Sequence, residues 1–243
     1  MKINIFETEG EVLVNLAAYF ATIARKAINE NGKCSVALSG GSSPKKLYEL
    51  LSSHGFKDQV EWPKMDFFFG DERFVPQTDS RSNYLMAKKA LFDPLSIDPE
   101  HIFAVDTSLQ PVEAADKYAK IILNYFDGEP MKFDIILLGL GDNAHTASLF
   151  PNTSVLTNTF ATVKAVFLED QKVYRITFTA PLINQARYVA FLVYGESKAV
   201  AVKQVIEDSK NVEHFPAQLI KPLSGNLEWF LDEAAAKELK SRI

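Results

Sequence analysis

Short apolar runs alternate with longer stretches of helical period along the whole chain, and no other property narrows the possible folds as much. The pattern predicts strands at Lys2 to Phe6, Lys33 to Leu38, Met65 to Phe69, His101 to Val105 and Phe133 to Leu138. Further β segments are expected at Lys164 to Leu168, Tyr174 to Phe178, Tyr188 to Tyr194 and Leu227 to Phe230. Apolar residues at helical intervals predict helices over Glu11 to Asn29, Pro44 to Ser53, Asn83 to Leu91 and Pro111 to Phe126. Two more are expected at Ser197 to Glu207 and Asp232 to Leu239. Asn31-Gly32 and Asp127-Gly128 supply helix stops. This order implies βαβ units, hence an α/β fold with a mainly parallel sheet flanked by helices. We expect one domain over residues 1–243, with the less periodic stretch from Thr153 to Lys172 forming a small side β element.

The net charge of −5 offers no basic field to nucleic acid, and no helix-turn-helix pattern is attached. An anionic ligand must then be caught by a few local Arg and Lys residues. The single cysteine, Cys34, lies in an apolar run and reads as a buried, inert thiol. Met1 to Phe6 is a short alternating strand, not a signal peptide, and no apolar run reaches membrane-spanning length. The cytoplasm is the expected location, with no membrane partner.

Chemistry concentrates in loops that follow apolar runs. Leu38-Ser-Gly-Gly-Ser-Ser-Pro-Lys45 joins a strand to a helix whose start suits proline. Gly40 and Gly41 permit close backbone approach, and Ser39, Ser42 and Ser43 add hydroxyls, which makes an anion cradle at a helix start. It lacks the ending of a Walker loop, and Pro44 stands where a serine-nucleophile elbow has glycine. In Phe69-Gly-Asp-Glu-Arg73 a strand ends in three charged residues. Spacing alone leaves these equally readable as a surface salt-bridge cluster or as an arginine fork for an oxyanion.

The Phe133 to Leu138 run opens into Gly139-Leu-Gly-Asp-Asn-Ala-His145. This matches a G-x-G-x-x-A dinucleotide fingerprint, but His145 and Pro151 follow where a long helix should begin, so that reading is set aside. Of His54, His101, His145 and His214, only His145 sits in a glycine-rich loop after a buried strand, and neutral imidazole is a natural general base. No zinc-like ligand spacing is present. Arg175 and Lys198 are further cations. Lys198 lies at a helix start, against the helix dipole, where it reads as a solvated side chain unless it reaches a bound anion.

Together these segments resemble the 6-phosphogluconolactonase family over nearly the whole chain. The resemblance is carried by Ser39-Gly-Gly-Ser-Ser-Pro44, Phe69 to Pro76 with Ser82-Asn83, and Gly139 to Pro151. Arg175-Ile-Thr, Gly195-Glu-Ser-Lys198 and Pro216-Ala217 extend it. It implies a modified Rossmann-type sheet and hydrolysis of 6-phosphoglucono-δ-lactone to 6-phosphogluconate in the pentose phosphate pathway, with no metal or cofactor. His145 is the implied catalytic base. Ser39, Gly40, Gly41, Ser42, Arg73, Asn143, Arg175 and Lys198 are the implied substrate and phosphate contacts, with Arg73 or loop amides facing the carbonyl oxygen. A monomer or weak homodimer is expected.

The related glucosamine-6-phosphate deaminases carry acids where Asn143 and Phe150 stand, so the ring-opening proton transfers lack their carriers here. A non-catalytic sugar-phosphate sensor is the other alternative. Two departures from the lactonase pattern matter. Its usual Asp-Gly-His is Asn143-Ala-His145, and Ala144 suggests a position with no need for positive φ. Prolines common before the arginine are replaced by Gln171-Lys-Val-Tyr174.

Overall fold

The computed structural model describes residues 1–128 and 130–240. Six parallel strands form the main sheet: β1 (Lys2–Phe6), β2 (Cys34–Leu38), β3 (Met65–Phe69), β5 (Ile135–Leu138), β8 (Tyr188–Val193) and β9 (Leu227–Asp232). Their order is β1-β9-β8-β5-β2-β3. A small antiparallel sheet, ordered β4-β7-β6, is built from β4 (Asp71–Arg73), β6 (Val163–Leu168) and β7 (Val173–Phe178).

The central strands β2, β3 and β5 are buried at every position because both faces are covered, and they are apolar except for Ser35 and Asp66. Val36, Leu38, Phe67, Phe69, Ile135 and Leu137 feed one core, with α1 (Glu9–Asn31) and α2 (Ser42–Leu51). Ala37, Phe68, Ile136 and Leu138 feed the other, which holds α5 (Pro111–Tyr125), α6 (Ala180–Asn184), α7 (Ala199–Ile206) and the small sheet. The strand period of two thus divides one run between two cores. Thr8 caps α1 by accepting from Glu11 N, and Gly32 ends it at φ 79°. Among the described residues no helix is long and apolar enough to cross a membrane.

The structure corrects several sequence expectations. His101 to Val105 is not a strand: a 3-10 turn at Pro99–His101 precedes a single bridge between Ile102 and Phe67. The Phe103 carbonyl accepts from Tyr118 Oη rather than from a ladder. The helix expected over Asp232 to Leu239 is absent: β9 stays paired with β1 through Asp232, and a series of turns follows over residues 233–238. The Asp232 carboxylate accepts from Ala235 N and Gly195 N. The Asn83 to Leu91 helix is α3 (Asn83–Ala87) followed by a π turn, Lys88–Phe92, and α4 (Asp93–Leu95). Pro94 cannot donate to the Ala90 carbonyl, which takes Ser52 Oγ instead. The side sheet uses only the end of the Thr153 to Lys172 stretch and recruits β4, which the charged sequence had concealed.

Candidate active site

The chain leaves β2 toward β3 on one side and β5 toward β8 on the other, so the sheet order reverses between β2 and β5. Ligands of open α/β sheets bind beyond the carboxyl ends of strands at such a point. A cavity of about 370 Å³ opens there, lined by Ser39, Gly40, Gly41, Ser42, Arg73, His145, Arg175 and Lys198. Those sequence candidates therefore converge. Asn143 does not line the cavity and stands behind His145.

The β2 loop is held from below by Tyr48, which is fully buried. Its hydroxyl accepts from Ser39 N at 2.9 Å and donates to Ser39 O at 2.8 Å. Gly41 opens α2 at φ 115° and no side chain caps that helix start. Gly40 is required by packing: a Cβ there would lie 1.8 Å from Asn83 Oδ1. Asn83 in turn donates from Nδ2 to the Asp71 carbonyl at 2.8 Å.

The β5 loop is a set of tight turns. Gly141 N donates to His145 O and Ala144 N to Gly141 O, both at 2.9 Å, while Thr146 Oγ1 donates to Gly139 O. Ala144 takes φ 59°, which corrects the expectation drawn from its side chain: the position does need positive φ, and the loop's hydrogen bonds hold an alanine in it. His145 stacks on Phe150 with ring centroids 4.0 Å apart. A Cβ on Gly141 would come within 2.0 Å of His145 Nδ1, so only glycine leaves room for the ring.

Asn143 Oδ1 lies 2.5 Å from His145 Nδ1 and also faces the His145 backbone N–H. An amide oxygen only accepts, so Nδ1 carries the proton and Nε2 keeps its lone pair. Burial pushes the His145 pKa down to about 4; the Asp71 carboxylate opposes this and the Lys198 and Arg175 charges reinforce it. The ring is neutral at physiological pH.

Asp71 and Glu72 are not a surface salt-bridge cluster. Both are buried. Asp71 accepts from Ser148 Oγ at 2.6 Å. Glu72 accepts from Arg73 N, Ser82 Oγ, Asn83 N and Tyr84 N, thereby closing the start of α3. Its pKa is raised by burial and held back by those backbone donors.

Arg73 and Arg175 stand directly opposite each other across β4 and β7. Arg73 Nη1 donates to the Arg81 carbonyl, and Arg175 Nη2 donates to Gln171 Oε1 at 3.1 Å. Among the described residues, neither guanidinium has a carboxylate within ion-pair distance. Burial and the facing Arg73 charge both lower the Arg175 pKa. Like charges placed opposite in a ladder are destabilising unless an anion joins them. Lys198 ends a 3-10 turn ahead of α7, and its Nζ lies 2.6 Å from Asp142 Oδ1.

Sequence reading missed Asp71, Ser148, Tyr48 and Gln171 as parts of the site. Ser148 lay within a singled-out motif, but nothing local marked its bond to Asp71. Among the described residues, no group of three or more His, Cys, Asp or Glu side chains could hold a metal ion.

The model of the family described as glucosamine-6-phosphate isomerases/6-phosphogluconolactonase matches residues 7–229. The chain belongs to this family. Within it, a 6-phosphogluconolactonase of Nostoc sp. is 41% identical over 217 residues, covering 88% of each chain. That of Synechocystis sp. is 40% identical over 219 residues, also 88% of each. The solved structure of 6-phosphogluconolactonase from Trypanosoma cruzi superposes with a TM-score of 0.87 at 30% identity, over 99% of this chain and 97% of that one. The modified Rossmann-type expectation thus holds for this family member.

Proposed function

We propose that this protein hydrolyses 6-phosphoglucono-δ-lactone to 6-phosphogluconate, the step its named relatives catalyse, with His145 as general base. The observation that carries the mechanism is the contact of Asn143 Oδ1 with His145 Nδ1, which leaves Nε2 without a partner among the described residues on a ring lining a cation-rich cavity. The substrate phosphate is held by Arg175, Lys198 and the uncapped start of α2, which orients the lactone at some distance from the bond that breaks.

Water attacks the lactone carbonyl carbon as His145 Nε2 takes its proton. Negative charge builds on the carbonyl oxygen, and Arg73 is the donor the cavity offers it. The tetrahedral intermediate collapses with cleavage of the carbon–ring-oxygen bond. Nε2 returns the proton to that oxygen, and the new carboxylic acid ionises. A lactone is an activated ester, so one base and firm positioning suffice.

Phe150 weighs against deaminase chemistry, because it covers a face of His145 from the position where the deaminase signature carries a glutamate. The deciding experiment is lactone hydrolysis on freshly generated substrate, corrected for spontaneous opening, in wild type and His145→Ala. Equal turnover in the two would refute the mechanism. Binding of 6-phosphogluconate without turnover in wild type would point to a sensor, and ammonia release from glucosamine 6-phosphate to a deaminase.

A further inference from the structure

The turn Gly141-Asp142-Asn143-Ala144-His145 carries a single carboxylate, and it pairs with Lys198 rather than with the histidine. Asn143 engages the imidazole, while Asp142 reaches across to the β8 side of the cavity and meets Lys198. Both partners stand on fixed backbone. The Gly141–His145 and Gly141–Ala144 hydrogen bonds set the Asp142 turn. Lys198 N donates to Gly195 O, and Gly195 N donates to the Asp232 carboxylate. Among the described residues, Lys198 is thus the one cavity cation of Arg73, Arg175 and Lys198 that has a carboxylate within ion-pair distance. The Lys198 side chain is only 27% exposed, whereas Asp142 is 70% exposed, so the carboxylate can swing into water at little cost.

We propose that Asp142 is an internal counter-anion that competes with the substrate phosphate for Lys198 and so sets the affinity for the sugar phosphate. This rests on the assignment of Lys198 to the phosphate. A phosphate dianion arriving at Nζ must displace the Asp142 oxygen or share the ammonium with it. In either case it lies a few ångströms from a second negative charge, an arrangement that weakens binding. Asp142 touches no reacting atom, and its charge is the smallest of the influences on the His145 pKa, so its effect falls on binding rather than on turnover at neutral pH.

The test compares wild type, Asp142→Asn, Lys198→Met and the double variant. 6-Phosphogluconate binding is measured by calorimetry, lactone hydrolysis by initial rates, and gluconate serves as the ligand without phosphate. Asp142→Asn should lower KM and the 6-phosphogluconate Kd by roughly three- to fivefold, the scale of one exposed ion pair. kcat should change less than twofold, and gluconate binding should not change. The gain should vanish in the Lys198→Met background. Unchanged or weaker 6-phosphogluconate binding in Asp142→Asn overturns the proposal, as does an equal gain without Lys198. If Lys198→Met alone leaves 6-phosphogluconate binding intact, the phosphate assignment itself fails. Asp142→Ser guards against an effect peculiar to the asparagine amide and should reproduce the gain.

Discussion

The cavity has two unlike walls. On the β5 wall nearly every polar group is already engaged: His145 is gripped by Asn143, backed by Phe150, and seated on a glycine that leaves no space for a Cβ. On the β4–β7 wall, Arg73 and Arg175 face each other with no carboxylate between them. One wall is self-satisfied, and the other leaves two like charges facing each other, which in the proposed mechanism the substrate's negative charge joins. In the proposed mechanism the first wall supplies the proton transfer and Arg175 on the second supplies affinity, so variants of His145 and Arg175 should separate kcat from KM.

The largest effect is expected on the β5 wall. His145→Ala should lower kcat by roughly 100-fold or more, the usual range for a general base, with KM little changed. A KM effect of similar size would erase the distinction between the walls. On the opposite wall, Arg175→Ala should raise KM and the 6-phosphogluconate Kd by about tenfold or more, the scale of a charge-assisted hydrogen bond. A kcat loss as large as the KM change would move Arg175 into the chemistry.

Gly141→Ala puts a methyl group where His145 Nδ1 lies, and on the order of tenfold loss in kcat with unchanged 6-phosphogluconate binding is expected. Asn143→Asp gives the imidazole a charged acceptor. It should shift the acid limb of kcat/KM upward by about one pH unit, which a pH–rate profile reads directly. In the wild type that limb should fall near pH 4, because the group is a base whose pKa is lowered to about 4 and which is lost only when protonated. The same sign governs folding. His145 takes up its proton more readily in the unfolded chain, near pH 6.5, so its burial reduces stability as pH falls from there toward 4.

Much of this was legible in the residues. Largely apolar runs at β2, β3, β5 and β8 announced a sheet covered on both faces, and a histidine past β5 pointed to the cavity found there. What stayed hidden depends on contacts distant in sequence. β4 reads as charged surface because nothing local reveals that four donors surround Glu72 or that Ser148, 77 positions away, meets Asp71. Alanine at 144 hid a left-handed turn enforced by its neighbours' hydrogen bonds. The alanine-rich segment after Asp232 has helical propensity, but it forms turns whose start is tied to β9 by the Asp232 carboxylate accepting from Ala235 N, a contact no local pattern shows.

Tyr48 carries a consequence for the speed of binding. One phenol satisfies both backbone groups of Ser39, so the cradle at the mouth of α2 is moored to the core before any ligand arrives. Encounter with the substrate then requires no folding of this cradle. The association rate is left to diffusion and to the pull of the cationic wall on a passing anion, and it should fall as added salt screens that pull.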